Sequence, residues 1–190
     1  MKYVKITVFI SVCVCLIICV CSIINLHQKY PNPTEHFYSV GEKFTFESYE
    51  ITVLTTKRWD LNSFCEEYSI NNYLVNYTKE QNICMCLVSL EIKNISLDPI
   101  SPELYQIYIG TPTGTTGLDL FFFQDMNNGS TEKLRPTINP NETIRVDLPY
   151  AVYGATFGYN KGLFFDEMDL ELTFSLYPEK HIVKLNKIYK

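Results

Sequence analysis

Basic residues are in the minority in this 190-residue chain: 16 Lys+Arg stand against 21 Asp+Glu, a net charge of −5. A nucleic-acid binder needs a basic face to displace counterions from phosphate, so DNA and RNA are set aside as partners. Catalytic signatures are lacking as well. The sequence holds no Gly-x-Ser-x-Gly, no His-Glu-x-x-His and no Walker motif, and Gly110, Gly114 and Gly117 lack the Lys that a phosphate loop requires, so these glycines read as turns. Histidine is rare, with only His27, His36 and His181. A Cys nucleophile would need one of them in reach, and no spacing brings His181 to Cys86. Helical periodicity is missing beyond the N-terminal stretch, which argues against alternating strand and helix units. No internal repeat is evident. What remains, 46% hydrophobic and 14% aromatic, is the composition of a chain that folds.

Charge is absent altogether from residues 6–26, which contain no Asp, Glu, Lys, Arg or His. As a helix rising about 1.5 Å per residue, that run reaches roughly 31 Å and matches the roughly 30 Å hydrocarbon core of a bilayer. Thr7, Ser11, Ser22 and Asn25 are its polar members, and hydroxyls return their hydrogen bonds to the helix backbone in lipid. Lys2 and Lys5 precede it, so the positive-inside rule keeps the N-terminus cytoplasmic and places the chain from about residue 27 outside. The competing reading is a cleaved signal peptide, with Val20 and Ser22 as small-residue positions, but an Ala-x-Ala site is missing and the apolar run is long for that role. Cys13, Cys15, Cys19 and Cys21 follow Val12, Val14, Ile18 and Val20, whereas a lipoprotein signal puts a small residue before its Cys. Only Cys15 and Cys19 share a helix face, so the four read as small apolar filler rather than a metal site.

Pro31 and Pro33 block continuation of the helix, and residues 27–39 read as an extended, Pro-containing stalk. Residues 40–190 then alternate with a period of two. Phe44 and Phe46 alternate with Lys43, Thr45 and Glu47, and Ile51 and Val53 flank Thr52. Cys86, Val88, Leu90 and Ile92 share one face, with Ser89, Glu91 and Lys93 on the other. Ile144, Val146 and Leu148 repeat the pattern, as do Leu170, Leu172, Phe174 and Leu176. Further strands are expected over 104–109, 118–124 and 181–187. Turn-forming clusters separate them: Asp98-Pro99, the Gly/Thr/Pro-rich 110–117, Asn127-Asn128-Gly129-Ser130 and Asn139-Pro140-Asn141. About eight short strands without amphipathic helices predict an all-β, antiparallel two-sheet sandwich, with a barrel as the alternative. Residues 57–82, with Trp59, Phe64, Tyr68, Tyr73 and Tyr77, are too long for a plain connection and are expected to form a lid or short helix over a sheet edge.

The strand 'LVSLEIKN' followed by 'ISLDPIS', and later 'INPNETIRVDLPYAV' leading into 'DLELTF', resembles the telokin-like, immunoglobulin-like domains of unknown function in Gram-positive envelope proteins. The resemblance covers roughly residues 40–187. It rests on a Lys-Asn-x-Ser/Thr turn, here Lys93-Asn94-Ile95-Ser96, and on a Pro-containing turn before a strand, here Pro140-Asn141-Glu142-Thr143. The 57–82 insert is long for the type, and Asn141-Glu142 stands where a Gly is usual. The resemblance implies an immunoglobulin-like sandwich behind an N-terminal anchor or signal, no enzyme and no catalytic residue.

Outside the membrane lie Cys65, Cys84 and Cys86. Cys84 and Cys86 are two apart on a strand and share a face, so a disulfide would pair Cys65 with one of them, with Cys65–Cys86 as the candidate; the other reading is that all three are reduced and buried. Asp166, Glu167 and Asp169 read as a solvated strand entrance rather than a Ca²⁺ site. Asn76, Asn94, Asn128 and Asn141 head Asn-x-Ser/Thr triplets, which matter only in a eukaryotic secretory pathway. Aromatic residues number 25 of the 164 beyond residue 26, and Phe121, Phe123, Tyr150, Tyr153 and Phe157 form the candidate contact surface. The expectation is a single-pass cell-membrane protein, N-terminus cytoplasmic, whose extracytoplasmic domain is a non-catalytic module for a protein or envelope ligand, without metal or cofactor. The alternatives are a secreted enzyme with a cleaved signal peptide and a eukaryotic or viral surface glycoprotein.

Overall fold

The computed structural model describes residues 2–70, 83–111, 114–154 and 168–185, and in the first helix the side chains from Val12 onward other than His27. The chain divides into two units, Met1–Thr34 and Glu35–Lys190. The first holds helix α1, Lys2–Lys29. Among the described residues no helix is long and apolar enough to cross a membrane; the described side chains of α1 start at Val12, whereas the uncharged run starts at residue 6.

The second unit is a two-sheet sandwich. Its strands are β1 (Thr34–Ser39), β2 (Lys43–Phe46), β3 (Tyr49–Asp60), β4 (Ile83–Asn94), β5 (Tyr108–Thr111), β6 (Gly114–Thr116), β7 (Thr143–Tyr153), β8 (Leu170–Thr173) and β9 (Glu179–Leu185). One sheet runs β1-β9-β8-β5-β6 and the other β2-β3-β4-β7. The β2–β3, β3–β4, β4–β7, β5–β6, β5–β8 and β8–β9 ladders are antiparallel. Register follows from alternation, because slipping by one residue would turn every apolar side chain outward. Leu90 therefore sits opposite Val53 on one side and Val146 on the other, and Cys86 opposite Tyr150. Together with Val88, Ile92 and Leu148 they face Ile109, Leu170, Leu172, Val183 and Leu185 across the sandwich. A register shift between Val53 and Thr55 resets β3, so that Thr56 and Arg58 pair with Val88 and Cys86 and are buried on the inner face. The Arg58 guanidinium donates to the Met168 carbonyl at 3.1 Å.

The outer face of the four-stranded sheet is wet only along half its length. Near Glu91 and Arg145, paired at 2.9 Å, it meets solvent. Farther on, Ile83, Met85, Leu87 and Ala151 are covered by two short helices, α2 (Leu61–Glu67) and α3 (Leu120–Met126), which contribute Phe64 and Cys65, and Phe122. Helix α2 is a short helix within 57–82, as expected, but it lies on the face of the sheet rather than over an edge, and residues 57–60 belong to β3; residues 71–82, with Tyr73 and Tyr77, lie outside the described ones.

Three segments differ from the sequence expectation. The strand expected over 118–124 is helix α3, since three consecutive Phe cannot alternate. Asp119 caps it by accepting from the N–H groups of Phe121 and Phe122, both at 3.1 Å. Its far end is closed by Gly129, whose φ of +80° suits glycine and whose N–H donates to Gln124 O. Residues 104–106 form a single 3-10 turn before β5. The segment expected as stalk, 27–39, holds the last residues of α1 and also β1, whose side chains join the sandwich edge.

Helix α2 carries a testable cap. Asp60 accepts from the N–H groups of Asn62 and Ser63 and, at 2.6 Å, from the Ser63 hydroxyl. The Ser63 hydroxyl is the main reason its carboxyl lies below the ordinary Asp value. A depressed carboxyl stabilises the fold above its unfolded value, about 3.9, and loses that contribution as pH falls through its folded value. Asp60→Ala is expected to cost about 1 kcal/mol at neutral pH. In urea titrations the gap to the wild type should close in acid below the carboxyl's folded value.

Candidate functional site

At one edge of the sandwich β1 lies beside β9, and alternation sorts their side chains. Glu35 and Lys180 pair on the outside at 3.0 Å. His36 and Tyr38 from β1, and Glu179 and His181 from β9, occupy the alternate positions, and His181 is only 6% exposed. The two imidazoles stack with centroids 4.9 Å apart. Phe44 and Phe46 of β2 close over His181 at 6.0 and 5.2 Å. His181 Nδ1 is 3.2 Å from the Tyr38 hydroxyl, and its Nε2 is 3.6 Å from Glu179 Oε2. His36 Nε2 lies 3.8 Å from the same oxygen; that nitrogen is buried and makes no hydrogen bond.

Burial, followed by the neighbouring His36, pulls His181 below the ordinary His value against the opposing effect of Glu179, so its imidazole is neutral at neutral pH. Burial, then Glu42 and Glu179, raise Tyr38, which stays a phenol able to donate or accept. Among the described residues, His36, Glu179 and His181 are the one group of three or more His, Cys, Asp or Glu side chains whose ligand atoms converge, all within 4.8 Å of one another. Sequence reading missed this cluster. It assigned His36 to the stalk and weighed His181 only as a partner for Cys86. The available signal was spacing: His36-x-Tyr38 and Glu179-x-His181 each share a face if extended.

Phe46 also belongs to a groove of about 310 Å³ that passes Tyr49, Glu103, Gln106 and Phe174. Its lining mixes aromatic rings with carboxylate and amide groups.

The other candidate residues separate. Cys65, Cys84 and Cys86 are buried thiols. The expected Cys65–Cys86 bond is not made because Cys86 belongs to the inter-sheet core while Cys65 packs in the cluster on the opposite face of the same sheet. Burial, then the neighbouring Cys84, push the Cys86 thiol far up despite the opposing Arg58, so it is no thiolate nucleophile. Of the expected contact surface, Phe121 is 67% exposed, but Phe123 and Tyr150 are buried, the latter donating its hydroxyl to Ile107 O at 3.2 Å. Tyr153 is half-buried against the outer cluster, and Phe157 lies outside the described residues. Tyr150 continues the inward series of Val146 and Leu148, so its burial follows from register. Asp169 is exposed, while Asp166, Glu167 and Asn76 lie outside the described residues. Asn94 is fully buried, so its amide is closed to a glycan, whereas Asn128 and Asn141 are exposed in turns at φ of +54° and +62°. That left-handed φ, which Asn tolerates, explains how Asn141 takes the place of the usual glycine.

The two sheets define an antiparallel β-sandwich. The chain belongs to the family described as Domain of unknown function (DUF5028), whose profile matches residues 35–181. No curated protein matches the chain. Among solved structures it is similar to the yjhA protein from Bacillus subtilis at 11% identity and a TM-score of 0.47, over 78% of this chain and 99% of that one. A conserved hypothetical protein from Bacillus anthracis is similar at 15% identity and a TM-score of 0.45, over 71% and 87% of the two chains. An uncharacterized beta-sandwich protein from Clostridium difficile 630 is similar at 15% identity and a TM-score of 0.38, over 81% and 96%.

Proposed function

We propose that the chain is a membrane-anchored, extracytoplasmic binding module. In this reading α1 lies in the cell membrane with the N-terminus cytoplasmic, and an immunoglobulin-like sandwich outside the cell holds a protein or envelope ligand without catalysing a reaction. The observation that carries it is the uncharged run at residues 6–26 within one helix, Lys2–Lys29. About 20 apolar residues suffice to cross a bilayer, and Lys2 and Lys5 at the leading end suit a cytoplasmic N-terminus. The telokin-like kinship and Gram-positive envelope setting implied by the sequence resemblance belong to the same reading. For the binding role, the support is the groove beside Phe46 and the exposed ring of Phe121.

Extraction of membranes with alkaline carbonate tests the anchor. The full-length chain is expected to stay in the pellet and to enter solution only with detergent. Release of full-length protein by alkali alone contradicts the anchor, and a soluble chain lacking its first residues identifies a cleaved signal peptide instead.

A further inference from the structure

We propose that His36, Glu179 and His181 form a mononuclear site for a divalent transition ion of the Zn²⁺ class, tying β1 to β9 and leaving a coordination position open. The inference goes beyond the binding-module reading and does not depend on where α1 resides.

Geometry is the first support. One ligand atom from each of His36, Glu179 and His181 lies within 4.8 Å of the others, and Nε2 of the two histidines stands 3.8 and 3.6 Å from the Glu179 carboxylate. Hydrogen-bonded N and O atoms close to about 2.7–3.2 Å, so these groups are gathered without bonding one another. Atoms that share one tetrahedral Zn²⁺ at about 2.0–2.1 Å stand ~3.3–3.4 Å apart. Contraction by a few tenths of an ångström brings both histidine–carboxylate distances into that range. The side chains with room to make it are the more exposed ones: Glu179 is 62% exposed and His36 39% exposed, at the sheet edge.

Unmet hydrogen-bonding capacity is the second support. His36 Nε2 is buried and has no hydrogen-bond partner, although a buried polar atom normally finds one. An ion at the centroid of the three donors would satisfy it. His181 is arranged in a complementary way. Its Nδ1 faces the Tyr38 hydroxyl at 3.2 Å, and accepting the Nδ1 proton there leaves the Nε2 lone pair turned toward Glu179. A second partner fixing the far nitrogen of a ligating imidazole is a recurrent feature of metal sites. Stacking with Tyr38 and Phe44, with the tilted Phe46 ring alongside, fixes the plane of the ring.

The donor set selects the ion. Two imidazoles and one carboxylate suit Zn²⁺ and its transition-series neighbours, whereas Mg²⁺ and Ca²⁺ prefer shells built from oxygen. Three protein ligands leave a fourth position for water or for an oxygen donor on a bound ligand.

The test uses the full chain in detergent micelles, stripped with chelator and titrated calorimetrically with Zn²⁺, with Co²⁺ as a spectroscopic substitute. One Zn²⁺ per chain is expected, undisplaced by excess Mg²⁺ or Ca²⁺, and Co²⁺ should show the intense visible bands of low coordination number. His36→Ala should weaken Zn²⁺ by more than the roughly 10–100-fold that outer-shell changes cost, and Tyr38→Phe by about 10-fold. Glu179→Gln, at an exposed position that does not threaten folding, should also weaken it by at least about 10-fold. The double change Cys15→Ser, Cys19→Ser should leave the affinity unchanged. Absence of Zn²⁺ binding to the wild type overturns the proposal. So does wild-type affinity in both His36→Ala and Glu179→Gln, or loss of binding in the Cys15, Cys19 variant alone.

Discussion

Truncating Phe122 to Ala is expected to lower the unfolding free energy by about 3–5 kcal/mol, a large share of the roughly 5–15 kcal/mol that holds a domain together. Phe122 is fully buried although it belongs to a seven-residue helix on the outside of a sheet. Its ring meets Phe64 edge-on at 5.3 Å, and Phe64 in turn meets Trp59 at 5.6 Å. Beneath them lie Met85 and Leu87 of β4 and Ala151 of β7. Removing the ring leaves a cavity between rigid partners, with only α2 and α3 free to relax into it. Phe121→Ser, one residue earlier, alters a mostly exposed side chain and should shift stability by no more than about 0.5 kcal/mol. Urea midpoints of the two variants of the full chain, measured together, check the contrast. Similar shifts in both would mean that α3 does not seat Phe122 against the sheet.

Asn94→Ala should cost about 2–4 kcal/mol, well above the effect of an ordinary polar substitution at a strand end. The Asn94 amide is buried where β4 ends, and every one of its polar atoms is engaged. Nδ2 donates to the carbonyls of Asp98 and Ile138 at 2.8 and 2.9 Å, while Oδ1 accepts from the N–H and hydroxyl of Ser96, both at 2.7 Å. Its backbone bonds to Glu142 and Asn141 at the neighbouring turn. The side chain thus joins the 94–98 turn to the Ile100–Ile138 bridge, while the backbone ties the residue to the turn before β7. Alanine removes four hydrogen bonds, each worth on the order of 0.5–1.5 kcal/mol before relaxation, although Ile138 O keeps the Ile100 N–H and Asp98 O the Ser96 hydroxyl. Asn94→Asp should be at least as damaging, because its carboxylate would face both carbonyl oxygens. Denaturation midpoints report both changes, and a shift below about 1 kcal/mol in Asn94→Ala would show that water replaces the network.

The strands with one wet and one dry face were legible because their alternation repeats without interruption. Cys86 through Ile92 and Ile144 through Leu148 fall on the faces that their pattern assigns. The same parity, carried two residues farther, buries Tyr150; grouping it with other aromatics as a contact surface ignored that constraint. Helix α3 was hidden by the opposite problem. Leu120-Phe121-Phe122-Phe123 has no period of its own, and the side chains divide among solvent, the outer cluster and the inter-sheet core. The local signal lay in the flanking Asp119 and Gly129, which start and stop a helix. Cysteine spacing could not reveal that a sheet lies between Cys65 and Cys86. The His36, Glu179 and His181 cluster joins residues 143 or more positions apart in sequence or two apart within one strand, and only the β1–β9 adjacency brings them together. Pro31 and Pro33 correctly exclude continued helix, yet they say nothing about where the sheet begins.

Membrane topology is what gives the sandwich its proposed role, and proteolysis of intact cells expressing a C-terminally tagged chain tests it most directly. With the domain outside, added protease should abolish the tag signal while a cytoplasmic marker survives, and the residual fragment should remain with the membrane. A tag that persists on intact cells and disappears only after lysis would place the sandwich inside the cell and contradict the account.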